Sequence, residues 1–328
     1  MTLDTVPLGP TGTAVSEIAF GTWRFGRETD RGDLEVEEPR AHELLDAYAD
    51  AGGTFIDTAD MYGEGRAEEY IGNWLAERDR EEFVIASKIY WPTRDDPNGG
   101  GLNRKHLRWS LDRILDRLGT DYLDLLYIHR WDDDTPVEEF MRTLDRFVEE
   151  GRVNYLGTST FEPNAWKVTL ANELADRRGY EPFRVAQPRF NAVNREIEGN
   201  YLEMCDHYDI GVVPWSPLAG GFLTGKYSRD EEPPEGSRAA TDDSFADSYL
   251  TPENFDALET VEAVAGELDA TPAQVSLAWL MAHPRVSAPI IGARTVEQLE
   301  ENLTAADVSL SDEQFDRIAA AAGNGFSG

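Results

Sequence analysis

Short apolar runs rich in β-branched and aromatic residues recur along the chain, and most are followed by segments whose apolar positions repeat at helical spacing. The runs IAFGTW (18–23), TFIDT (54–58), FVIASK (83–88), YLDLLYIH (122–129), VNYLGTS (153–159), RVAQ (184–187), IGVVPWS (210–216) and SAPIIG (287–292) read as strands. Between them, KHLRWSLDRILDRL sets Leu107, Leu111, Ile114, Leu115 and Leu118 on one face of an otherwise charged helix. Similar patterns occupy 40–51, 66–78, 136–149, 163–177, 198–208, 254–283 and 295–304, with a further helix at 311–322. Eight alternating βα units in 328 residues predict an α/β fold: one domain, residues 1–328, closed as a (β/α)8 TIM barrel. VPLGPTGTAV predicts a β-hairpin ahead of the first barrel strand. Residues 227–250, charged and without period, predict a long loop after the seventh strand.

Charge changes the picture of the surface. Acidic residues number 63 against 30 basic ones, for a net charge of −33, and the only lysines are Lys88, Lys105, Lys167 and Lys226. Such a surface repels phosphate backbones and anionic lipid, which disfavours nucleic-acid and membrane-surface partners. With acids spread over the whole chain and lysine depleted, adaptation to concentrated salt is expected, counterions screening the self-repulsion. A single cysteine, Cys205, excludes an intramolecular disulfide and points to a reducing cytoplasm. The start MTLDTVPLG lacks the pattern of a signal peptide, and no run of eighteen apolar residues occurs.

In a barrel of this kind the chemistry sits where strands end at their C-terminal side. Asp57, Lys88, His129, Ser159, Gln187 and Trp215 stand at such points, with Tyr62 just beyond the first of them. Each has an ordinary explanation alone, as a turn cap, a solvated charge or a packed ring. Together they suit proton delivery to a carbonyl oxygen as hydride reaches carbon. An ammonium beside a tyrosine favours the ionised phenol and is expected to lower its pKa, Asp57 keeps a buried Lys88 charged, and His129 offers a ring N–H to the carbonyl.

Rival chemistries have less support. Gly220, Gly225 and Lys226 meet the glycine and lysine positions of a phosphate loop, but Tyr227 stands where a small hydroxyl is needed. No G-x-G-x-x-G follows the first strand. Histidines 42, 106, 129, 207 and 283 show no metal-ligand spacing. A Schiff base on Lys88 is possible in principle, yet Asp57 and Tyr62 fit a proton relay better.

The segments FIDTADMYGEGRAEEYIGNWL, FVIASK, GTDYLDLLYIHRWDDDTPVEEFM and PWSPLAGGFLTGKY make the chain resemble the aldo-keto reductases, NAD(P)H-dependent oxidoreductases of barrel fold, over about residues 6–306. The likeness is to the microbial and potassium-channel β-subunit-like branches. It implies Tyr62 as general acid, Lys88 and Asp57 as its tuning pair, and His129 as the substrate-orienting group. It further implies that Ser159 and Gln187 hold the nicotinamide carboxamide and that Trp215 stacks on the nicotinamide. Thr160 stands where the family commonly has asparagine, and Trp215 where it commonly has tyrosine or another aromatic. Gly21, Thr22 and Trp23, with Ser216, Pro217, Leu218, Gly220, Gly221 and Lys226, fall in the implied cofactor-binding set. The adenosine end falls to Gly292, Arg294, Gln298, Glu301 and Asn302.

Arg294, at a helix N-terminus in IIGARTVEQLEEN, is placed for a 2′-phosphate, which favours NADP(H) over NAD(H). Loop 227–250 is expected to close over bound cofactor. Trp23, Tyr90, Trp91 and Trp131 are expected to line a pocket for a small carbonyl substrate. The same resemblance allows a cofactor-binding redox sensor with slow turnover, and it leaves oligomer formation open.

Overall fold

A computed structural model describes residues 2–29, 32–160 and 164–321. Strands β1 (Thr5–Pro7) and β2 (Ala14–Ser16) pair antiparallel with Val6 opposite Val15, forming the expected hairpin. Eight parallel strands follow: β3 (Ala19–Gly21), β4 (Phe55–Asp57), β5 (Val84–Ile89), β6 (Leu123–Ile128), β7 (Val153–Ser159), β8 (Phe183–Gln187), β9 (Gly211–Val212) and β10 (Ile290–Ile291). They lie side by side in chain order, and β10 returns to pair with β3, Ile291 opposite Phe20. Between β9 and β10 the ring closes through Ser287 N–H to the Val212 carbonyl at 2.7 Å and Ile290 N–H to the Pro214 carbonyl at 2.9 Å.

Helices α1 (Glu38–Asp50), α2 (Arg66–Leu75), α3 (Arg104–Leu118), α4 (Val137–Glu149), α5 (Ala165–Arg178) and α6 (Asn200–His207) follow β3 to β8 in turn. After β9 come α7 (Arg238–Thr241), α8 (Asp243–Tyr249), α9 (Pro252–Leu268) and α10 (Pro272–Ala282); after β10 come α11 (Val296–Leu303) and α12 (Asp312–Ala321). The α3 stripe read from the sequence is buried against the sheet. At about 2 kcal/mol per buried aliphatic side chain, that stripe is what holds the helix in place. Asn103 caps its first turn by accepting from His106 N–H, and Gly119 ends it in the left-handed conformation.

Strand alternation divides the core in two. Ile56, Ile85, Leu126 and Ala186 face the helices, while Ala19, Phe55, Val84, Ala86, Leu125, Tyr127, Val185 and Ile290 fill the barrel. Leu8 and Val15 of the hairpin join this inner cluster and plug the N-terminal end. The plug is tight: a Cβ on Gly9 would stand 2.6 Å from Gly211 N, and one on Gly211 would stand 2.7 Å from Gly9 N. Among the described residues, the hairpin thus covers the N-terminal end of the barrel.

Three expectations are corrected. The strands at 18–23, 210–216 and 287–292 shrink to β3, β9 and β10, the last two bounded by Pro214 and Pro289, which have no N–H for a ladder. The helix at 254–283 is two helices, broken where Asp269 turns left-handed (φ 53) and Pro272 opens α10. Residues 227–250 are not irregular throughout: they contain α7 and α8, and Tyr227, Ala239 and Phe245 are buried.

Candidate active site

Because side chains alternate along a strand, the residue two beyond an inward one also faces inward. Asp57 follows Phe55, Lys88 follows Ala86, His129 follows Tyr127 and Gln187 follows Val185, so the four form the top layer of the barrel filling. Ser159 ends β7 opposite Gln187, and Gly21 ends β3 opposite Asp57. The pattern that makes a packed core lower down makes a polar ring at the mouth.

Tyr62 reaches this ring from a turn. Gly63, Glu64 and Gly65 adopt φ of 55, 60 and 96°, which swings the chain into α2. Gly63 is required there, since a Cβ would stand 2.4 Å from the Phe25 carbonyl oxygen.

All three ammonium protons of Lys88 have acceptors: Asp57 Oδ1 at 2.6 Å, the Thr58 carbonyl at 2.8 Å and Tyr62 Oη at 3.2 Å. The second oxygen of Asp57 accepts from Gln187 Nε2 at 2.7 Å. Lys88 is fully buried, so burial works to strip its proton, but Asp57 and Tyr62 outweigh that and push its pKa up. Burial pushes the Asp57 carboxyl up, with Lys88 and Gln187 pulling it back. The pair is ionised, because each charge has a partner at contact and its remaining valences are filled.

The pKa of Tyr62 does not fall as expected. Burial raises it, Lys88 opposes the rise and Asp57 adds to it, leaving the phenol above its ordinary value. A proton donor gains from this, since it stays loaded at working pH. His129, anchored by its backbone N–H to the Ile89 carbonyl at 3.0 Å, stands with its ring edge-on to Tyr62, centroids 6.0 Å apart. Burial first, and the Lys88 charge second, push its pKa well below the usual histidine value, so the ring is neutral. Its Nδ1 is buried without a protein partner among the described residues.

Behind this ring lies a polar layer that the sequence reading missed. Asp60 N–H donates to the Lys88 carbonyl at 3.2 Å, Arg117 donates to the Asp60 carbonyl at 3.0 Å and to Glu68 Oε2 at 2.9 Å, and Ser87 Oγ donates to Glu68 Oε1 at 2.6 Å. The signal was present: Glu68 shares the buried face of α2 with Ile71 and Leu75, three and seven residues on.

The expected cofactor residues share the mouth. Thr22 donates through N–H and Oγ1 to the Asp57 carbonyl at 2.9 and 3.1 Å. Ser159 Oγ lies 3.2 Å from both the Gln187 carbonyl and Thr160 Oγ1. Trp215 lies half-buried, bonded through its backbone N–H to the Pro188 carbonyl at 2.9 Å, and its indole N–H has no partner among the described residues. Ser216, Gly220 and Gly221 all have positive φ, and the Ser216 hydroxyl accepts from Gly220 N–H at 3.2 Å, next to Pro217 and Leu218. Lys226 Nζ would lie 3.0 Å from a Cβ on Gly221, and Arg238 Nη1 3.1 Å from one on Gly220.

Ahead of α11, Arg294 is exposed beside Gly292, and its N–H donates to Gln298 Oε1 at 3.0 Å; Glu301 is exposed and Asn302 buried. Lys226, Arg238 and Arg294 thus stand on one rim of a chain whose net charge is −33, Arg238 beside Asp242 and Arg294 beside Glu35, and these cations suit the phosphates of a dinucleotide.

The four aromatic residues expected in a substrate pocket divide. Tyr90 and Trp91 pack edge-to-face at 5.2 Å, and Trp91 lies 6.4 Å from His129. Trp131 instead packs on Phe140 of α4 at 5.2 Å, and the exposed Trp23 carries the Arg27 guanidinium 3.8 Å above its ring. Among the described residues no cluster of His, Cys, Asp and Glu could hold a metal, and no helix is long and apolar enough to cross a membrane.

The "Aldo/keto reductase family" profile matches residues 17–322. A rice protein (Oryza sativa subsp. japonica) described as "Probable voltage-gated potassium channel subunit beta" is 38% identical over 321 residues, covering 95% of this chain and 94% of its own. The "Uncharacterized oxidoreductase YrpG" of Bacillus subtilis is 35% identical, covering 93% and 92%. "Norsolorinic acid reductase A" of Aspergillus parasiticus is 33% identical, covering 97% and 84%. The chain belongs to the aldo/keto reductase family of oxidoreductases.

Proposed function

We propose that this oxidoreductase reduces aldehydes or ketones to alcohols with NADPH, using Tyr62 as the proton donor. The observation that carries the reading is the saturated Lys88 ammonium, tied at once to Asp57, the Thr58 carbonyl and the Tyr62 hydroxyl. A nicotinamide cofactor, when bound, supplies the hydride. Everything else is work for the chain's own residues.

Neutral His129 and the Tyr62 hydroxyl orient the carbonyl oxygen and share the negative charge that grows on it. Tyr62 then gives up its proton, and the phenolate so formed is stabilised by the Lys88 ammonium at 3.2 Å. Asp57, braced by Gln187, keeps that ammonium charged and aimed. The raised pKa of Tyr62 keeps the donor protonated before reaction, and Lys88 lowers the cost of the ionised form afterwards. Trp91, beside His129, forms part of the substrate wall.

For the cofactor, Ser159, Thr160 and Gln187 receive the carboxamide, Trp215 offers a stacking face, Lys226 and Arg238 meet the pyrophosphate, and Arg294 meets the 2′-phosphate. The exposed Arg294 guanidinium supports NADPH over NADH.

Replacing Tyr62 by phenylalanine keeps the ring and removes the proton. NADPH oxidation over a panel of aldehydes is expected to fall at least about a hundredfold, with NADPH affinity retained; undiminished turnover refutes the assignment. The names of the potassium-channel relatives favour one second reading, a cofactor-binding redox sensor. Tight NADPH binding by the unaltered protein with no turnover on any carbonyl would select it.

A further inference from the structure

One carboxylate sits inside the cation rim. Arg24 and Arg27 lie between β3 and α1, and Arg294 lies just ahead of α11. Glu35, from the same segment as the first two, pairs with all three: its Oε2 contacts Arg24 Nη1 and lies 3.9 Å from Arg294 Nε, and its Oε1 lies 3.1 Å from Arg27 Nη1. Trp23 backs the group, with the Arg27 and Arg24 guanidinia 3.8 and 5.4 Å from its ring centroid.

The exposures differ in a useful way. The Glu35 side chain is 14% exposed and that of Arg294 57%, so the carboxylate is seated while the arginine still offers donors to solvent. Burial first, and then the Arg294 charge, push the Arg24 guanidinium below its ordinary pKa; Glu35 opposes them and Arg238 adds to them. Four arginines from three segments crowd together; Glu35 pairs with Arg24, Arg27 and Arg294, while Arg238 pairs with Asp242 of its own segment at 3.4 Å.

We propose that Glu35 is a specificity-determining residue that sets the ratio of NADPH to NADH affinity, because its carboxylate takes the guanidinium donors that a 2′-phosphate needs. The inference rests on the reading that Arg294 receives that phosphate. A phosphate arriving at Arg294 must share Arg24 with Glu35 and suffers repulsion from it. NADH brings a 2′-hydroxyl instead, which a carboxylate tolerates and can accept from. Glu35 therefore handicaps the phosphorylated cofactor and leaves the other unhindered.

The test is the ratio Kd(NADH)/Kd(NADPH), measured by quenching of tryptophan fluorescence in the unaltered protein and in Glu35→Gln. Removing one nearby negative charge is expected to raise the ratio about tenfold, mostly through tighter NADPH binding. Glu28→Gln serves as control, since the Glu28 carboxylate pairs with Arg66 and, among the described residues, makes no ion pair with a rim arginine. A ratio that is unchanged or lower in Glu35→Gln, or that rises as much in Glu28→Gln, overturns the proposal. Arg294→Ala separates the two levels of the argument. If it collapses the ratio while Glu35→Gln does not raise it, only the role of Glu35 fails; if it leaves the ratio untouched, the seat of the 2′-phosphate was misread.

Discussion

Lys88 and Asp57 lie at the floor of the barrel mouth with side chains 0% and 4% exposed, whereas Glu35 and its three arginines occupy the rim at 14 to 57%. Both groups are built from opposite charges at contact. At the floor every proton of the ammonium and both oxygens of the carboxylate are matched, one to one, by groups on rigid strands or on the turn after β4. At the rim one carboxylate serves three guanidinia, of which Arg294 is the most exposed. Depth decides what each can do: the floor pair cannot exchange partners without leaving a charge bare in a low-dielectric site, and the rim group can. A proton relay needs the first property, and a seat that must open for an anion needs the second.

The largest effect follows from breaking the floor. Asp57→Asn leaves the Lys88 charge buried without a counterion, a loss of about 3–5 kcal/mol and on the order of 10 °C in Tm. Glu35→Gln removes the same kind of group at the rim and is expected to move Tm by no more than about 3 °C. Thermal unfolding of the two variants side by side measures the contrast, and equal losses would erase it.

Salt sharpens the comparison further. Raising KCl from about 0.1 M to about 2 M shortens the screening length to a few ångströms, which weakens exposed charge–charge terms and leaves the floor pair intact. With 63 acidic residues against 30 basic ones, net repulsion is what salt relieves, so the unfolding midpoint is expected to rise by several degrees over that range. Equal stability at both salt concentrations would refute adaptation of this surface to salt.

The floor was legible in the sequence and the rim was not, for a physical reason. Asp57, Lys88, His129 and Gln187 stand at or within one residue of the ends of strands whose two-residue alternation assigns them to the barrel interior, so counting along each apolar run brings them to one layer. Tyr62 was legible from its distance past Asp57 and the glycines after it. Glu35 lies in a segment without period, and nothing in ETDRGDLEVEEP distinguishes it from the other acids of a strongly acidic chain. Its role appears only when β3 and β10, some 270 residues apart, are brought side by side, which sets Arg294 beside Glu35. The short β9 and β10 were overread because Pro214 and Pro289 sit inside apolar runs, and apolar content alone does not count missing N–H groups. Glu68 and Arg117 fall between these cases: a charge on an apolar helix face was visible, but its partner was not.

Thr160 offers the smallest expected effect and a third kind of site between floor and rim. It directly follows β7 with φ at 55°, a left-handed conformation that a β-branched residue rarely adopts, next to the Ser159 hydroxyl. Ser216, across the mouth, is held at φ 57°. Asparagine tolerates this conformation far better than threonine, because its short amide can hydrogen-bond locally and its Cβ carries no second branch. Thr160→Asn is therefore expected to stabilise the unliganded protein by about 1 kcal/mol, or about 2 °C in Tm. A drop in Tm would mean that the 3.2 Å contact between the Thr160 and Ser159 hydroxyls outweighs the backbone strain, and that this chain keeps threonine there for its hydroxyl.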